Sequence, residues 1–180
     1  MIRHSILELL RAHRTNDQLE NTMLQNTIHF IEQHPDCFER SLLTGHVTGS
    51  AWIVNKQGTH VLMMHHKKLD KWFQPGGHCD GDPDVMAVAA KEAFEETGIE
   101  VRLLTPAVFD VDHHVIPARK DIPEHIHYDI RFLLRAKTKD FLVSDESNAL
   151  AWFKVKDVID GAFDESLVRM AKKLLAVDRF

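Results

Sequence analysis

The stretch that decides the fold is "GGHCDGDPDVMAVAAKEAFEETGIE", residues 76–100. It joins a glycine-rich turn to a helical pattern that carries Glu92, Glu95 and Glu96 at i, i+3 and i+4. Residues at this spacing are neighbours on one helix face, with Cβ atoms roughly 5–6 Å apart, and like charges placed there repel. The sequence therefore predicts either a solvated acidic face or a site for a cation.

The surroundings of the three glutamates favour the cation. Apolar residues such as Met86 and Phe94 cover much of the remaining helix surface, and crowded carboxylates raise one another's pKa unless a cation compensates. Mg²⁺ is commonly bound by a few carboxylates together with substrate phosphates. Gly76 and Gly77 let the backbone approach a ligand closely, so the Gly76 carbonyl could complete the coordination. Mg²⁺ or Mn²⁺ is therefore the candidate cation for this face, and from these residues alone a solvated acidic face stays open.

The flanking sequence predicts an α/β layered domain, because strands precede and follow the acidic helix. The predicted elements are helices over 2–13 and 15–34, a β-hairpin over 46–66, the acidic helix over 83–97, strands over 101–104, 107–112, 126–135 and 149–155, and a helix after Asp164. No linker rich in Gly, Ser or Pro separates the first two helices from the rest, so we expect them to pack on the domain.

Particular residues predict where the helices begin and end. Thr15 and Gln18 form a capping-box pattern at the start of the second helix. Asp82 is a suitable N-cap for the acidic helix, with Pro83 at its first position, where a missing N–H costs nothing. Gly98 is placed to end that helix.

Composition narrows the class of protein. The chain has 180 residues, 44% of them apolar and 27% charged, with a formal net charge of −5. This acidic balance argues against sequence-independent binding of nucleic acid polymers, which needs a basic surface. The only cysteines, Cys37 and Cys79, offer neither a disulfide framework nor a paired zinc motif. No signal peptide or membrane-spanning pattern is evident. We expect a cytoplasmic protein with a small-molecule partner and no membrane contact, and a homodimer stays open.

Residues 77–99 resemble the Nudix box, whose pattern is Gly, five residues, Glu, seven residues, Arg-Glu-apolar-x-Glu-Glu-x-Gly-apolar. The spacing matches without insertion, and "WFQPGG" before it is also typical of the family. Two positions depart: Pro83 replaces the first glutamate and Lys91 replaces the arginine. Lysine keeps the charge but loses the bidentate fork. These departures bear on catalytic efficiency more than on metal binding.

The resemblance implies a Nudix-like α/β/α sandwich around a mixed β-sheet over residues 41–180, with residues 1–40 as an N-terminal helical extension. It also implies metal-dependent cleavage of a diphosphate linkage in a nucleoside diphosphate linked to another moiety. The implied metal ligands are Glu92, Glu95, Glu96 and the Gly76 carbonyl. A further catalytic glutamate often comes from a loop outside the box. Glu146 is the first candidate here and Glu124 the second.

Residues outside the box are candidates for substrate binding. His65 and Lys67 end a strand just before the box, where cations could meet phosphates, and Trp72 could stack on a base or pack in the core. His125 and His127 share one strand face, which Asp129 and Arg131 extend. That face, including Arg131, could bind substrate or a second metal.

Two alternatives remain open. Paired histidines bind metal in the Nudix-like isopentenyl diphosphate isomerases, but the cysteine motif of that family has no clear match, since Cys79 lies inside the box turn. The changes at Pro83 and Lys91 also allow a non-catalytic nucleotide-binding sensor with a degenerate box.

Overall fold

The computed structural model describes residues 3–67, 70–119, 122–142 and 147–177. Its elements are α1 (His4–Ala12), α2 (Gln18–Gln33), β1 (Gly45–Val54), β2 (His60–His66), β3 (Lys71–Phe73), β4 (Gly76–His78), α3 (Val85–Thr97), β5 (Val101–Ile116), β6 (His125–Ala136), β7 (Ser147–Lys154), α4 (Val155–Asp160) and α5 (Glu165–Ala176). Within these ranges, no helix combines the length and apolar character that a membrane span requires.

The strands form one mixed sheet in the order β3-β2-β1-β6-β5, with β4 also pairing with β1 and β7 with β2. The central pair, β1 and β6, is parallel, and the other pairings are antiparallel. The first part of β1 pairs with β4 through Ser50 and Gly76, while its end pairs with β2 through Ile53 and Leu62. This division of β1 places the glycine turn beside the centre of the sheet.

Helices cover both faces of the sheet, as predicted. Successive strand residues point to opposite faces. On β1, Ala51 and Ile53 therefore pack in one cluster with Ala93 of α3, whereas Trp52 packs in another with Met170 of α5. The resulting α/β/α layers confirm the predicted fold class.

The N-terminal helices share the domain's core. Leu10 of α1 and Ile31 of α2 are fully buried in the same cluster as Val47 and Val85. These contacts explain why no flexible linker is needed before the domain. The boundary near residue 40 stays a prediction.

The cap of α2 differs from the predicted one. The carboxylate of Asp17 accepts the Glu20 N–H at 2.9 Å. The Thr15 hydroxyl instead donates to the Glu20 carboxylate. The capping-box prediction at Thr15 and Gln18 was therefore wrong: Asp17 lies closer to the first turn, and buried Glu20 needs the hydroxyl as a donor.

The start of α3 also differs from the prediction. The helix begins at Val85 and its cap is Asp84, which accepts the Ala87 N–H at 3.0 Å. Asp82 accepts the Asp84 N–H at 2.9 Å, so it stabilises the turn before the helix. Pro83 consequently lies outside α3. Gly98 ends the helix in the left-handed conformation, with φ of 69°, as glycine at this position permits.

Candidate active site

The glycine turn is held between the sheet and α3. A Cβ at Gly76 would overlap the side chain of Ser50, and one at Gly77 would come within 2.5 Å of Glu92 Oε2. Glycine is therefore required at position 76 for β4 to lie this close to β1, whereas a side chain at position 77 would displace the Glu92 carboxylate. The two hypothetical side chains point to opposite sides, so β4 has a face toward α3 and a face toward Ser50.

Two of the box glutamates, Glu92 and Glu96, lie on the side of α3 that faces this turn, and Glu95 lies beside them on the same helix. Glu96 is 8% exposed and its Oε2 accepts the Gly76 N–H at 2.9 Å. The side chain of Glu92 is 16% exposed and lies next to Gly77, and that of Glu95 is 54% exposed. The set thus runs from an anchored, buried carboxylate to one open to solvent. Such a gradient suits ligands of an ion that also contacts a substrate.

Lys91 lies beside the outer part of this set. Its Nζ is 3.5 Å from Glu92 Oε1 and 3.3 Å from Glu95 Oε2. The hydrogen bond to Glu95 and the charge of Glu92 raise the pKa of Lys91 above its ordinary value. Its side chain is 60% exposed, so solvent screens both ion pairs. Lys91 therefore supplies positive charge at the position where the box pattern has arginine.

A buried polar network lies on the Ser50 side of the glycine turn and holds it in place. Asp129 is 2% exposed, and its Oδ1 accepts hydrogen bonds from Ser50 at 2.7 Å and Thr48 at 3.1 Å. Its Oδ2 accepts from Gln74 at 3.1 Å and Arg131 at 2.7 Å. Burial alone would raise the pKa of Asp129, but the charge of Arg131 and these hydrogen bonds keep it below its ordinary value. Asp129 thus connects β6 to β1 and to the residue before the Pro75-Gly76 turn.

Arg131 is a structural residue of this network. It is 3% exposed and forms ion pairs with Asp129 at 2.7 Å, Asp110 at 3.2 Å and Asp112 at 3.1 Å. Arg169 of α5 also pairs with Asp110, at 2.8 Å. A guanidinium surrounded by three buried carboxylates is not presented to a phosphate, so the predicted substrate-binding role of Arg131 is replaced by a structural one. The second face of β6 is consequently buried and polar rather than solvated.

Histidines from three strands converge at the other end of this polar face. One nitrogen from each of His46, His125 and His127 lies within 4.8 Å of the others. The ring of His78 lies 5.0 Å from the rings of both His46 and His127, centre to centre. Pairing of His46 with His127 in the β1–β6 register brings two of these rings together. We call His46, His78, His125 and His127 the histidine cluster.

The surroundings of His46, His78 and His127 favour neutral imidazoles. Burial, followed by the charge of His78, lowers the pKa of His46 to about 4, against a weaker opposing effect of the Leu42 backbone. Burial, followed by the charges of His46 and His78, lowers the pKa of His127 to about 3. Burial and the charge of Arg40 also lower the pKa of His78. Neutral rings carry a lone pair that can bind a metal ion.

The remaining candidates lie elsewhere. His65 of β2 contacts Asn148 Nδ2 at 3.2 Å and the ring of Trp72 at 5.0 Å. Trp72 is half-buried against Phe153, with ring centres 4.8 Å apart, and Lys67 is exposed just after β2. His65, Lys67 and Trp72 thus share the β2–β3 edge, whereas His125 and His127 belong to the histidine cluster.

The two candidates for the loop glutamate differ in position. Glu124 is exposed directly before β6. Glu146 lies outside the described residues. The Cys79 thiol is buried in the box turn, and burial raises its pKa. A thiol in this state is an inert structural group rather than a reactive thiolate.

Ser50 and His46 were not predicted as site residues, and Asp129 was predicted only as part of the His125–His127 face. The signal for Asp129 was the alternation along β6, which placed it on one face with His127 and Arg131. His46 gave no local signal, because its partners in the parallel strand β6, His125 and His127, lie 79 and 81 residues away in the chain.

The family is identified by the match over most of the chain. The NUDIX domain matches residues 45–174. The chain therefore belongs to the NUDIX domain family. It is a Nudix-type hydrolase, a class that acts on phosphorus-containing anhydrides.

Solved structures agree with this assignment. A NUDIX-family hydrolase from Clostridium perfringens has 25% sequence identity and a TM-score of 0.54, covering 74% of this chain and 98% of its own. An Ap4A hydrolase from C. elegans has 18% identity and a TM-score of 0.54, covering 72% and 95%. A MutT protein from Methanosarcina mazei Go1 has 16% identity and a TM-score of 0.57, covering 75% and 96%. The last two support the fold alone. Among curated proteins, none matches this sequence.

Proposed function

We propose that this protein is a divalent-metal-dependent hydrolase that cleaves the diphosphate linkage of a nucleoside diphosphate joined to another moiety. The observation that carries the proposal is the position of Glu92 and Glu96 at the glycine turn, with Glu96 bonded to the Gly76 N–H at 2.9 Å and Glu95 beside them on the same helix. Family membership supports the reaction class, and the box supports the location of the chemistry.

The donor set fits a hard divalent cation. Glu92, Glu95 and Glu96 offer carboxylate oxygens on one face, and the Gly76 carbonyl is the nearby backbone oxygen that we propose as a further ligand. Mg²⁺ and Mn²⁺ take oxygen ligands of this kind. When bound, such an ion neutralises diphosphate oxygens and lowers the pKa of a coordinated water.

The protein's own residues would position the reactants. The hydrogen bond from Gly76 fixes the orientation of Glu96 in the buried part of the site, so that carboxylate needs little reorganisation during the reaction. We propose that Glu146 accepts the proton of the attacking water, with Glu124 as the second candidate. His65, Lys67 and Trp72, which share the β2–β3 edge, are proposed to contact the substrate's phosphates or base.

We propose that the substrate is a small diphosphate compound. We also propose that the protein acts in the cytoplasm, a reducing compartment that is compatible with its two buried free thiols.

A screen tests the reaction. Nucleoside diphosphate sugars, dinucleoside polyphosphates such as Ap4A, ADP-ribose and non-nucleotide diphosphates are incubated with the protein and Mg²⁺. We expect hydrolysis of at least one nucleotide derivative, its loss in chelator and its return with Mg²⁺ or Mn²⁺.

Two results would contradict the proposal. Undiminished turnover in the presence of chelator would show that the reaction does not depend on a divalent metal. Nucleotide binding without turnover on any compound would indicate the sensor alternative. The isomerase alternative has less support, because Cys79 is buried with a raised pKa.

A further inference from the structure

The histidine cluster is separate from the box carboxylates. Gly77 faces Glu92, as the 2.5 Å approach of its hypothetical Cβ to Glu92 Oε2 indicates. Side chains alternate along a strand, so the next residue, His78, points away from Glu92 and toward His46, whose ring is 5.0 Å distant. The two groups therefore lie on opposite sides of β4.

The cluster contains imidazoles that the described protein groups leave unsatisfied. His46 is 3% exposed, and among the described residues neither of its ring nitrogens has a hydrogen-bond partner of normal geometry, although the Leu42 backbone lies close enough to act weakly on the ring. The same holds for the buried Nε2 of His127. Buried polar atoms are nearly always bonded, and leaving one unpaired costs free energy. A neutral imidazole has one N–H and one nitrogen with a free lone pair, so each of these rings has one nitrogen that can bind a metal ion.

The third histidine is oriented as a metal ligand would be. His125 Nδ1 lies 2.9 Å from the Pro123 carbonyl oxygen. A carbonyl only accepts, so Nδ1 carries the proton and Nε2 keeps its lone pair. A histidine that binds metal commonly donates its other ring N–H in this way, which sets the tautomer and the ring orientation.

From this geometry we propose that His46, His125 and His127 bind one divalent transition-metal ion of the Zn²⁺ class, with His78 as the nearest candidate for a fourth ligand. The nitrogen atoms of the first three lie within 4.8 Å of one another, so a small shift of the rings brings them around one ion. Imidazole suits Zn²⁺ and Co²⁺, whereas Mg²⁺ prefers oxygen. The ion would join β1 to β6, and through His78 to β4, directly beside the catalytic turn.

The test uses Co²⁺ as a visible probe of ligation. The full-length protein is stripped with chelator, dialysed into buffer with excess Mg²⁺ to occupy oxygen sites, and titrated with Co²⁺ while visible absorption is recorded. We expect ligand-field bands that saturate at one Co²⁺ per chain and disappear when Zn²⁺ is added, because Zn²⁺ binds such sites more tightly.

Four variants locate the ion. His46→Gln and His127→Gln remove ligands, and even losing a supporting residue typically costs 10–100-fold in metal affinity, so we expect at least about that loss. His113→Gln is the matched control, because His113 stacks on Tyr128 on the other face of the sheet. It should bind Co²⁺ normally, as should Glu96→Gln, in which the box is altered and the cluster is intact.

Two outcomes would overturn the proposal: absence of ligand-field bands in the native protein, or bands that survive in His46→Gln and disappear in Glu96→Gln. If the histidine variants fail to fold, Glu96→Gln alone decides. Its Co²⁺ spectrum and a Zn²⁺-dependent rise in melting temperature support the site, and their absence refutes it.

Discussion

Two groups of acidic side chains lie on opposite sides of the sheet, one toward α3 and one toward α5, and they differ in what surrounds them. The box carboxylates of α3 face the glycine turn and extend to solvent, with Glu95 54% exposed and Lys91 reaching it at 3.3 Å. The inner group is Asp110, Asp112 and Asp129, all at most 8% exposed. The inner group is bonded to cations of the protein itself.

The two groups differ in whether their carboxylates are bound by cations of the protein or can bind an ion from solvent. The inner ones are satisfied by Arg131, Arg169 and Lys173, which join β5, β6 and α5. Removing one such partner leaves an uncompensated buried charge. Among the box carboxylates, Glu95 is reached from solvent and Glu92 partly so, which lets an ion and its substrate enter and leave. A cluster of acidic residues therefore indicates a binding site only when its carboxylates are accessible and are not already paired with buried cations of the protein.

Breaking the inner group should have the largest effect. Arg131→Met removes the cation that pairs with all three buried carboxylates; Asp110 and Asp112 keep Arg169, whereas Asp129 loses its ion pair. We expect a loss of about 3–5 kcal/mol in the free energy of unfolding. Urea denaturation measures it. Lys137→Met, which breaks an exposed pair with Glu100 at 2.7 Å, is the control and should cost about 0–1 kcal/mol. Equal losses in both variants would show that burial does not distinguish the two kinds of pair.

Altering the box should affect rate instead of stability. Glu96→Gln keeps the shape and an oxygen that accepts the Gly76 N–H, but it removes a charged ligand. We expect turnover of the screened substrate to fall roughly a hundredfold to a thousandfold, or about 2.7–4 kcal/mol. Without metal, the melting temperature should be unchanged or higher, since repulsion is relieved. Glu100→Gln, exposed just beyond the helix, serves as control. Full turnover in Glu96→Gln would contradict the proposed role of Glu96 as a metal ligand.

The pH dependence of stability should reflect the protonation of Glu20. This residue of α2 is linked to the inner group because Lys173 pairs with both Glu20 and Asp110. Burial would raise its pKa, but hydrogen bonds with His13, Lys173 and Thr15 lower it from 4.5 to about 2. A lowered pKa in the folded state stabilises the protein above pH 4.5, and this contribution of about 3 kcal/mol is lost as pH falls toward 2. The unfolding free energy should therefore decline steeply across that window.

Two substitutions on α2 isolate this effect. Glu20→Gln should be less stable at neutral pH and should show a shallower decline between pH 4.5 and 2. Glu32→Gln, which alters an exposed pair with Arg11, should decline as the native protein does. Parallel curves for the native protein and Glu20→Gln would mean that Glu20 titrates normally.

The smallest effect is expected at Lys91. Lys91→Arg keeps the charge and adds the bidentate fork of the box pattern. Because the side chain is 60% exposed, stability should change by at most about 0.5 kcal/mol, and the rate should change only severalfold. Steady-state kinetics and thermal melting measure both. A rate change as large as that of Glu96→Gln would place Lys91 among the catalytic groups.

Much of the fold was predictable because its signals are local. The spacing of Glu92, Glu95 and Glu96, the glycine at position 98 and the alternation along β6 depend on neighbours a few residues away. Helix caps were less predictable. Asp17 and Asp84 displaced the predicted caps because several polar residues competed for the same N–H groups, and packing decided between them.

The sequence alone determined the box, its three carboxylates and the α/β class, since helix and strand periods are properties of short segments. The tertiary structure decided which polar residues are partners. Arg131 became a structural cation because β5 and β6 bring Asp110, Asp112 and Asp129 around it. His46 lies next to His127 because the parallel β1–β6 register pairs the two residues. Both outcomes depend on contacts between segments far apart in the chain, whose charges and lone pairs have no local signature.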